Sequence, residues 1–130
     1  MTKNVLIVED NPLLADDYAA VVGEGLGCTA LTAASSSQAL SLIETPISLA
    51  LLDVEVADGV TYPLAARLLQ RKIPVVFVSG SNPAKVPDQL AQTPFLRKPV
   101  LPFELLAAAR TYLESAGPDP SAGTNHTSPC

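Results

Sequence analysis

Short apolar runs alternate with longer amphipathic stretches along this chain. The apolar runs are VLIV at 5–8, TALTAA at 29–34, SLALL at 48–52, PVVFV at 74–78 and FL at 95–96. Each run has the length of a strand, and the stretches between the runs have helical character. This alternation predicts β-α repeats around a parallel sheet, so we expect an α/β protein.

Helix signals lie between and after the runs. Asn11 and Pro12 are a good N-cap and first-turn pair, and the helix that they begin is predicted to continue to the glycines at 23, 25 and 27. Shorter helices are predicted at 35–44 and 62–72, and a last helix begins at Pro102. The apolar stripe of this last helix is predicted from Phe103, Leu106, Arg110 and Leu113.

The fourth helical segment is interrupted by proline. Asn82 and Pro83 are a suitable start, but Pro87 follows four residues later. A proline inside a helix removes a backbone donor and clashes with the preceding turn, at a cost of about 3 kcal/mol. We therefore expect this helix to be short, kinked or mobile, with fast amide exchange across residues 82–93.

Composition indicates one domain with a short tail. The chain has 130 residues, of which 48% are hydrophobic and 16% are charged, enough for one proper core and too few for a second. After Ser115 almost no large apolar side chain follows. We predict one domain at residues 1–115 and a disordered tail at 116–130.

Charge and hydropathy exclude two classes of partner. The net charge is −5 and the eight Lys and Arg residues are scattered, which argues against direct binding of nucleic acid. The apolar runs are too short to span a bilayer, and no signal-like stretch follows Met1. Cys28 and Cys130 lack metal-type spacing, and a cytoplasmic location without membrane contact suits all of these features.

Chemically active residues follow four of the predicted strands. In a parallel sheet with right-handed crossovers, the residues that follow each strand gather at one edge, where open α/β folds place their ligands. Glu9 and Asp10 follow the first strand, Asp53 the third, Ser79 the fourth and Lys98 the fifth. Three carboxylates, one hydroxyl and one ammonium group are therefore expected at the same place.

The charges of this cluster predict a divalent cation. Three carboxylates and one lysine sum to −2, and an all-oxygen ligand set without Cys or His suits Mg²⁺. Mg²⁺ in turn suggests phosphoryl chemistry, in which a carboxylate is the nucleophile and a lysine and a hydroxyl contact the phosphoryl oxygens. Asp53 is the best-placed nucleophile, and Lys98 and Ser79 are the contacts.

Four motifs, in order and at matching intervals across roughly residues 3–115, carry a family resemblance: VLIVEDNP, LALLDVE, VVFVSG and FLRKP. With them the chain closely resembles the receiver domains of two-component response regulators, in particular single-domain, chemotaxis-regulator-like members. The resemblance implies a flavodoxin-like, doubly wound, five-stranded parallel sheet of order 2-1-3-4-5. We expect its fourth helix to be short or irregular.

The resemblance also assigns roles to individual residues. Asp53 would be the phosphoacceptor, and Ser79 and Lys98 would contact the phosphoryl group. Ser79 and Phe95 would form the conformational switch, and the Lys98–Pro99 peptide bond would be cis. The Mg²⁺ ligands would be Glu9, Asp10 and Asp53, with Glu55 contributing its backbone carbonyl. The loop after Asp53 departs from the common family pattern because Gly59 comes early, and Val100 replaces the usual aromatic residue after Lys-Pro.

As a family member the chain would be a signalling phosphoacceptor and not an enzyme in the usual sense, with Mg²⁺-dependent self-phosphorylation and autodephosphorylation. Its phosphoryl group would come from a sensor histidine kinase or a histidine phosphotransfer protein. The output would be conformational switching toward an unidentified target protein, or a phosphorelay. A homodimer through the fourth helix, fifth strand and fifth helix is a further arrangement that the resemblance allows.

Three alternatives compete with this interpretation. A protein interaction module with a receiver fold would act without phosphorylation, and the unusual loop after Asp53 would permit it. A phosphatase with Asp53 and Glu55 as an Asp-x-Asp-like pair would carry its nucleophile on the first strand and need a longer chain. A flavin-binding protein would need an anion-binding loop after the first strand, where this chain has two carboxylates.

Overall fold

The computed structural model describes residues 3–115. In this range the elements are, in chain order, β1 Asn4–Val8, α1 Pro12–Leu26, β2 Thr29–Ala33, α2 Ser36–Leu42, β3 Leu49–Leu52, β4 Glu55–Val56, β5 Gly59–Val60, α3 Tyr62–Gln70, β6 Val75–Ser79, β7 Phe95–Arg97 and α4 Pro102–Ser115. The predicted tail at 116–130 lies outside the described residues. None of the helices within 3–115 is long and apolar enough to cross a membrane.

Five strands form a parallel sheet in the order β2-β1-β3-β6-β7, and β4 and β5 form a separate antiparallel hairpin. Counted among the sheet strands alone, this is the predicted order 2-1-3-4-5, so the flavodoxin-like fold is confirmed. The strand order reverses between β1 and β3. The carboxyl ends of these two neighbouring strands therefore form the switch point at which doubly wound sheets place their ligands.

The sheet has a hydrophobic core on each face. Alternate residues of β1 point to opposite sides, so Val5 and Ile7 pack with α1 and α4 while Leu6 and Val8 pack with α2 and α3. All four side chains are buried. Burial on both faces is what a continuous apolar run such as VLIV indicates.

Capping residues fix where the first two helices begin. The Asn11 side chain accepts hydrogen bonds from the backbone N–H groups of Leu13 and Leu14, and the Ser35 side chain accepts one from Gln38. Both residues occupy the N-cap position, where a side-chain oxygen satisfies backbone donors that have no partner within the helix. The predicted start of the first helix is confirmed.

The first helix runs through two of the three glycines expected at its end. It ends at Leu26, and Gly27 follows with φ 70°, in the left-handed region that glycine favours. Gly25 lies where α1 approaches α4, and a Cβ atom added there would meet Leu106 Cδ1 at 2.6 Å. This glycine therefore serves helix packing.

The predicted stripe of the last helix is confirmed at Leu113, which is buried, and at Leu106, which packs against the same core, but it was wrong at Phe103 and Arg110. The buried residues of α4 are Leu105, Ala109 and Leu113, whereas the side chain of Phe103 is 67% exposed and Arg110 is exposed. The buried residues are spaced by four and face the core beside α1. The stripe drawn through Phe103 is offset because packing against the sheet and α1 fixes the rotation of the helix.

The fourth helical segment contains no α-helix. Two 3₁₀ turns, Pro83–Lys85 and Asp88–Leu90, take its place, with Pro87 at the N-cap of the second. Asn82 caps the first turn through its side chain, which accepts from the N–H of Ala84. Pro87 interrupts the helical ladder, which confirms the expectation of a short or irregular element.

Candidate functional site

The strand ends bring the predicted polar residues to one edge of the sheet. Glu9 directly follows β1 and Asp53 directly follows β3, and the backbone N–H of Asp53 donates to the Val8 carbonyl at 2.9 Å. Ser79 is the last residue of β6, and its carbonyl accepts from the N–H of Lys98, just after β7, at 2.9 Å. These backbone hydrogen bonds fix the positions of Asp53, Ser79 and Lys98.

Lys98 joins two buried carboxylates. Its Nζ donates to Glu9 Oε1 at 2.7 Å and to Asp53 Oδ2 at 2.8 Å. Glu9 and Asp53 are buried, and the Lys98 side chain is 20% exposed. Charge-assisted hydrogen bonds of this length are strong, and each carboxylate would face an uncompensated like charge without them. The peptide bond that follows, Lys98–Pro99, is cis, the isomer that the resemblance implies.

The electrostatic surroundings shift the pKa values of both Glu9 and Lys98. Burial raises the pKa of Glu9 above its ordinary value, although the hydrogen bonds from Lys98 and from the Asn11 N–H oppose this shift. Burial alone would lower the pKa of Lys98, but the hydrogen bonds to Asp53 and Glu9 outweigh it and raise that pKa. Lys98 is therefore firmly charged at neutral pH.

Three carboxylates are close enough to share one cation. One oxygen from each of Glu9, Asp10 and Asp53 lies within 4.8 Å of the others, and Asp10 is exposed to solvent. An all-oxygen donor set with one open side suits Mg²⁺, which retains several of its waters. Glu55, the fourth expected ligand, lies at the start of β4, and its N–H donates to Asp53 Oδ1 at 3.4 Å.

The expected switch residues lie on the two strands at the far side of Asp53. Ser79 is buried and its hydroxyl accepts a hydrogen bond from the Ser81 N–H at 3.2 Å. Phe95 is half-buried, and its ring centroid lies 6.0 Å from that of Phe77 in a tilted arrangement. A further ring, Tyr62, packs edge-on against Phe77 at 6.0 Å, so the aromatic contacts extend from β7 to the start of α3.

Two residues beside the site were missed by sequence reasoning. Thr61 is buried, and its hydroxyl donates to the Asp53 carbonyl at 2.6 Å. Asp58, at the turn of the β4–β5 hairpin, accepts hydrogen bonds from the N–H groups of Ser36 and Ser37. The Asp58–Gly59 pair is a turn signal that predicts such a hairpin, whereas nothing in the local pattern identifies the partner of Thr61.

Comparison with solved structures identifies similar proteins. A receiver domain protein (CheY-like) from Methanospirillum hungatei JF-1 is 26% identical, with a TM-score of 0.78 over 89% of this chain and 97% of that one. The PhyR receiver domain from Erythrobacter litoralis is 27% identical, with a TM-score of 0.76 over 86% of this chain and 90% of that one.

SdrG from Sphingomonas melonis Fr1 is 32% identical, with a TM-score of 0.72 over 86% of this chain and 97% of that one. No protein-family model and no curated protein matches the chain. These structural matches cover 86–89% of this chain. The chain belongs to the receiver domain family of two-component response regulators.

Proposed function

We propose that this receiver accepts a phosphoryl group on Asp53 from a phosphohistidine, in a reaction that depends on Mg²⁺, and signals through the resulting change in conformation or passes the group on. The observation that carries the proposal is the pair of hydrogen bonds from Lys98 Nζ to Asp53 and Glu9. These hydrogen bonds hold the nucleophilic carboxylate of Asp53 beside the ammonium group of Lys98, at the switch point of the sheet.

The reaction exchanges one bond to phosphorus for another. An oxygen of Asp53 attacks the phosphorus atom and a P–O bond forms. The P–N bond to the donor imidazole breaks, and the ring nitrogen keeps the electron pair and takes up a proton from solvent. Hydrolysis removes the phosphoryl group, because water attacks phosphorus and the Asp53 carboxylate leaves, which releases inorganic phosphate and restores the free carboxylate. Lys98 and Ser79 are the side chains proposed to contact the phosphoryl oxygens, since both end at the edge beside Asp53.

The acidic group fits the role of a Mg²⁺ site. Glu9, Asp10 and Asp53 would hold the ion, and the Glu55 carbonyl is the proposed backbone ligand. Bound there, Mg²⁺ would neutralise charge on the phosphoryl oxygens. The carboxylates themselves orient the site, and the Asn11 N–H fixes the second oxygen of Glu9 at 3.1 Å.

The proposed output is a change at the surface around β7. Ser79 turning toward a phosphorylated Asp53 would give up its hydrogen bond from Ser81, and Phe95 would repack against Phe77. The proposed partners are a sensor histidine kinase or phosphotransfer protein upstream and a target protein downstream. A homodimer through the surface of the two 3₁₀ turns, β7 and α4 remains part of the proposal.

Intact mass spectrometry tests the proposal directly. The chain is incubated with Mg²⁺ and a small acyl phosphate, beside Asp53→Asn, a metal-free sample and Asp88→Asn as a matched control at an exposed site. We expect one phosphoryl adduct in the wild type and in the control, and none without Asp53 or Mg²⁺. If neither the acyl phosphate nor a phosphorylated histidine kinase gives an adduct, the chain is a phosphorylation-independent interaction module.

A further inference from the structure

The β4–β5 hairpin, residues 55–60, follows directly after the phosphoacceptor and Val54, and both its base and its turn are fixed. Its strands pair Glu55 with Val60 and Val56 with Gly59. Two residues, Ala57 and Asp58, join them, and Gly59 follows with φ 119°, where a side chain would be strained. A two-stranded hairpin this short has little stability of its own, so its position depends on contacts outside it.

Thr61 fixes the base of the hairpin to Asp53. Its hydroxyl donates to the Asp53 carbonyl at 2.6 Å, and its N–H donates to the Val54 carbonyl at 2.8 Å. Because the Asp53 N–H is bonded to Val8, both backbone polar groups of the phosphoacceptor have partners. Thr61 is fully buried, which protects these bonds from water.

The hydroxyl of Thr61 does not cap α3, although Thr61 occupies the N-cap position of that helix. Thr61 is the N-cap residue of α3, where a threonine side chain ordinarily accepts a hydrogen bond from the first turn of the helix. It makes no such bond here, because the hydroxyl donates to Asp53 instead. Removing the hydroxyl would therefore leave the helix cap unchanged and act on Asp53 alone.

Asp58 fixes the turn of the hairpin to the first turn of α2. Its two carboxylate oxygens accept from the N–H groups of Ser36 at 2.9 Å and Ser37 at 3.0 Å. The Ala57 N–H adds a longer bond to the Ala34 carbonyl at 3.4 Å. These backbone hydrogen bonds lower the pKa of Asp58, so its carboxylate stays ionised at neutral pH.

We propose that Thr61 and Asp58 are positioning residues for phosphoryl transfer, which hold the backbone of residues 53–55 in a single conformation while Asp53 reacts. Thr61 acts on the Asp53 carbonyl, and Asp58 keeps the hairpin in place so that the Glu55 N–H stays beside the Asp53 carboxylate. The inference rests on the proposed function. It extends that function from the side chains at the site to the two contacts that align them.

Fixed alignment matters because transfer needs the carboxylate oxygen in line with the bond that breaks. A displacement of about 1 Å in such a group can cost as much as 100-fold in rate. Two hydrogen bonds hold the backbone of Asp53, from which the reacting side chain extends. The Asp53 N–H donates to the Val8 carbonyl, and the Asp53 carbonyl accepts from the Thr61 hydroxyl. Loss of the hydrogen bond from Thr61 would allow the Asp53 carbonyl, and with it the adjoining backbone, to move.

The test compares rates of Asp53 phosphorylation by a small acyl phosphate at saturating Mg²⁺, at a temperature where every variant is folded. Thr61→Val keeps the shape and removes the hydroxyl, whereas Thr61→Ser keeps the hydroxyl and removes the methyl group. We expect Thr61→Val to react roughly tenfold more slowly and Thr61→Ser to stay within about twofold of wild type. A purely structural role would slow neither variant, because each rate is measured on folded protein.

Asp58→Ala is the second variant, because Asp58 is exposed and its loss leaves the core intact. Its rate should fall roughly threefold relative to Glu114→Ala, which removes an exposed carboxylate from α4. Wild-type rates in Thr61→Val and Asp58→Ala, or equal slowing in both Thr61 variants, would overturn this inference alone. A wild-type chain that takes no phosphoryl group would overturn the proposed function and this inference with it.

Discussion

Replacing Lys98 with methionine tests how the acidic edge is held together. Methionine is similar in length and packs in apolar surroundings, but it removes the only positive charge hydrogen-bonded to Glu9 and Asp53 among the described residues. Two buried carboxylates then face each other without a partner between them. Breaking a buried ion pair by removing one partner is far more costly than losing the same pair at the surface.

The size of the loss follows from the geometry of the carboxylates. Their oxygens lie within 4.8 Å of one another, so two full charges repel by about 3.5 kcal/mol at an effective dielectric constant near 20. Partial protonation of Glu9 relieves some of this repulsion, while desolvation adds to it. We expect Lys98→Met to lower the free energy of unfolding by about 3 kcal/mol at pH 7 without metal.

Urea unfolding in metal-free buffer measures this loss, with Lys85→Met, at an exposed lysine, as the control. The loss should shrink as the pH falls from 7 toward 5. Burial already raises the pKa of Glu9 in the folded wild type, and removing Lys98 raises that pKa further. A carboxyl group with a raised folded pKa binds more protons when folded, so acid favours the folded variant.

Mg²⁺ should restore part of the lost stability, because a cation held by the same carboxylates replaces the missing positive charge. A loss below about 1 kcal/mol that did not change with pH or Mg²⁺ would refute the reasoning, since it is the value typical of an exposed ion pair. A loss that grew on acidification would refute it as well, because that sign belongs to carboxylates whose pKa is lowered by folding.

Three further predictions concern the metal, the first helix and the irregular segment. Mg²⁺ at 100 times its dissociation constant should stabilise the wild type by about 2.7 kcal/mol, and Asp10→Asn should lose most of this gain in thermal unfolding while Asp17→Asn keeps it. Gly23→Ala should stabilise α1 by about 1 kcal/mol, because the added Cβ would meet nothing closer than 3.8 Å. Gly25→Ala should lose that gain, because its Cβ would clash with Leu106 Cδ1, and urea unfolding of the two variants measures the difference in stability. Amide exchange at residues 82–93 should be faster than in β6 and should slow when Asp53 is modified; equal, strong protection in both states would contradict this.

Sequence reasoning located the site because its residues are defined by strand ends. A buried strand of a parallel sheet is visible as an apolar run, and the residue after it must lie at one edge, so Glu9, Asp53 and Lys98 could be brought together without coordinates. The break at Pro87 was visible for a similar reason, since proline acts through its own backbone.

The features that were missed depend on contacts between distant elements. The rotation of α4 follows from the packing of Leu105, Ala109 and Leu113 against the core beside α1, which the pattern within α4 alone does not contain. Thr61 looks like an ordinary helix cap in sequence, and only the path of the hairpin turns its hydroxyl toward the Asp53 carbonyl. The rotation of a helix against its neighbours and the partner of a buried polar group are both tertiary properties.

Under the proposed function, Lys98 would contact Asp53 in the unphosphorylated state and the phosphoryl group in the phosphorylated state. The charge balance at this edge of the sheet shows what that change would require. Three carboxylates and Lys98 leave the cluster at −2, and a phosphoryl group on Asp53 replaces one negative charge with about two. Lys98 now divides its hydrogen bonds between Glu9 and Asp53, so turning toward phosphoryl oxygens would leave Glu9 with the Asn11 N–H alone. Glu9 would then need a second positive partner. The proposed dependence on Mg²⁺ would thus follow from the single lysine at this edge as much as from the phosphoryl group.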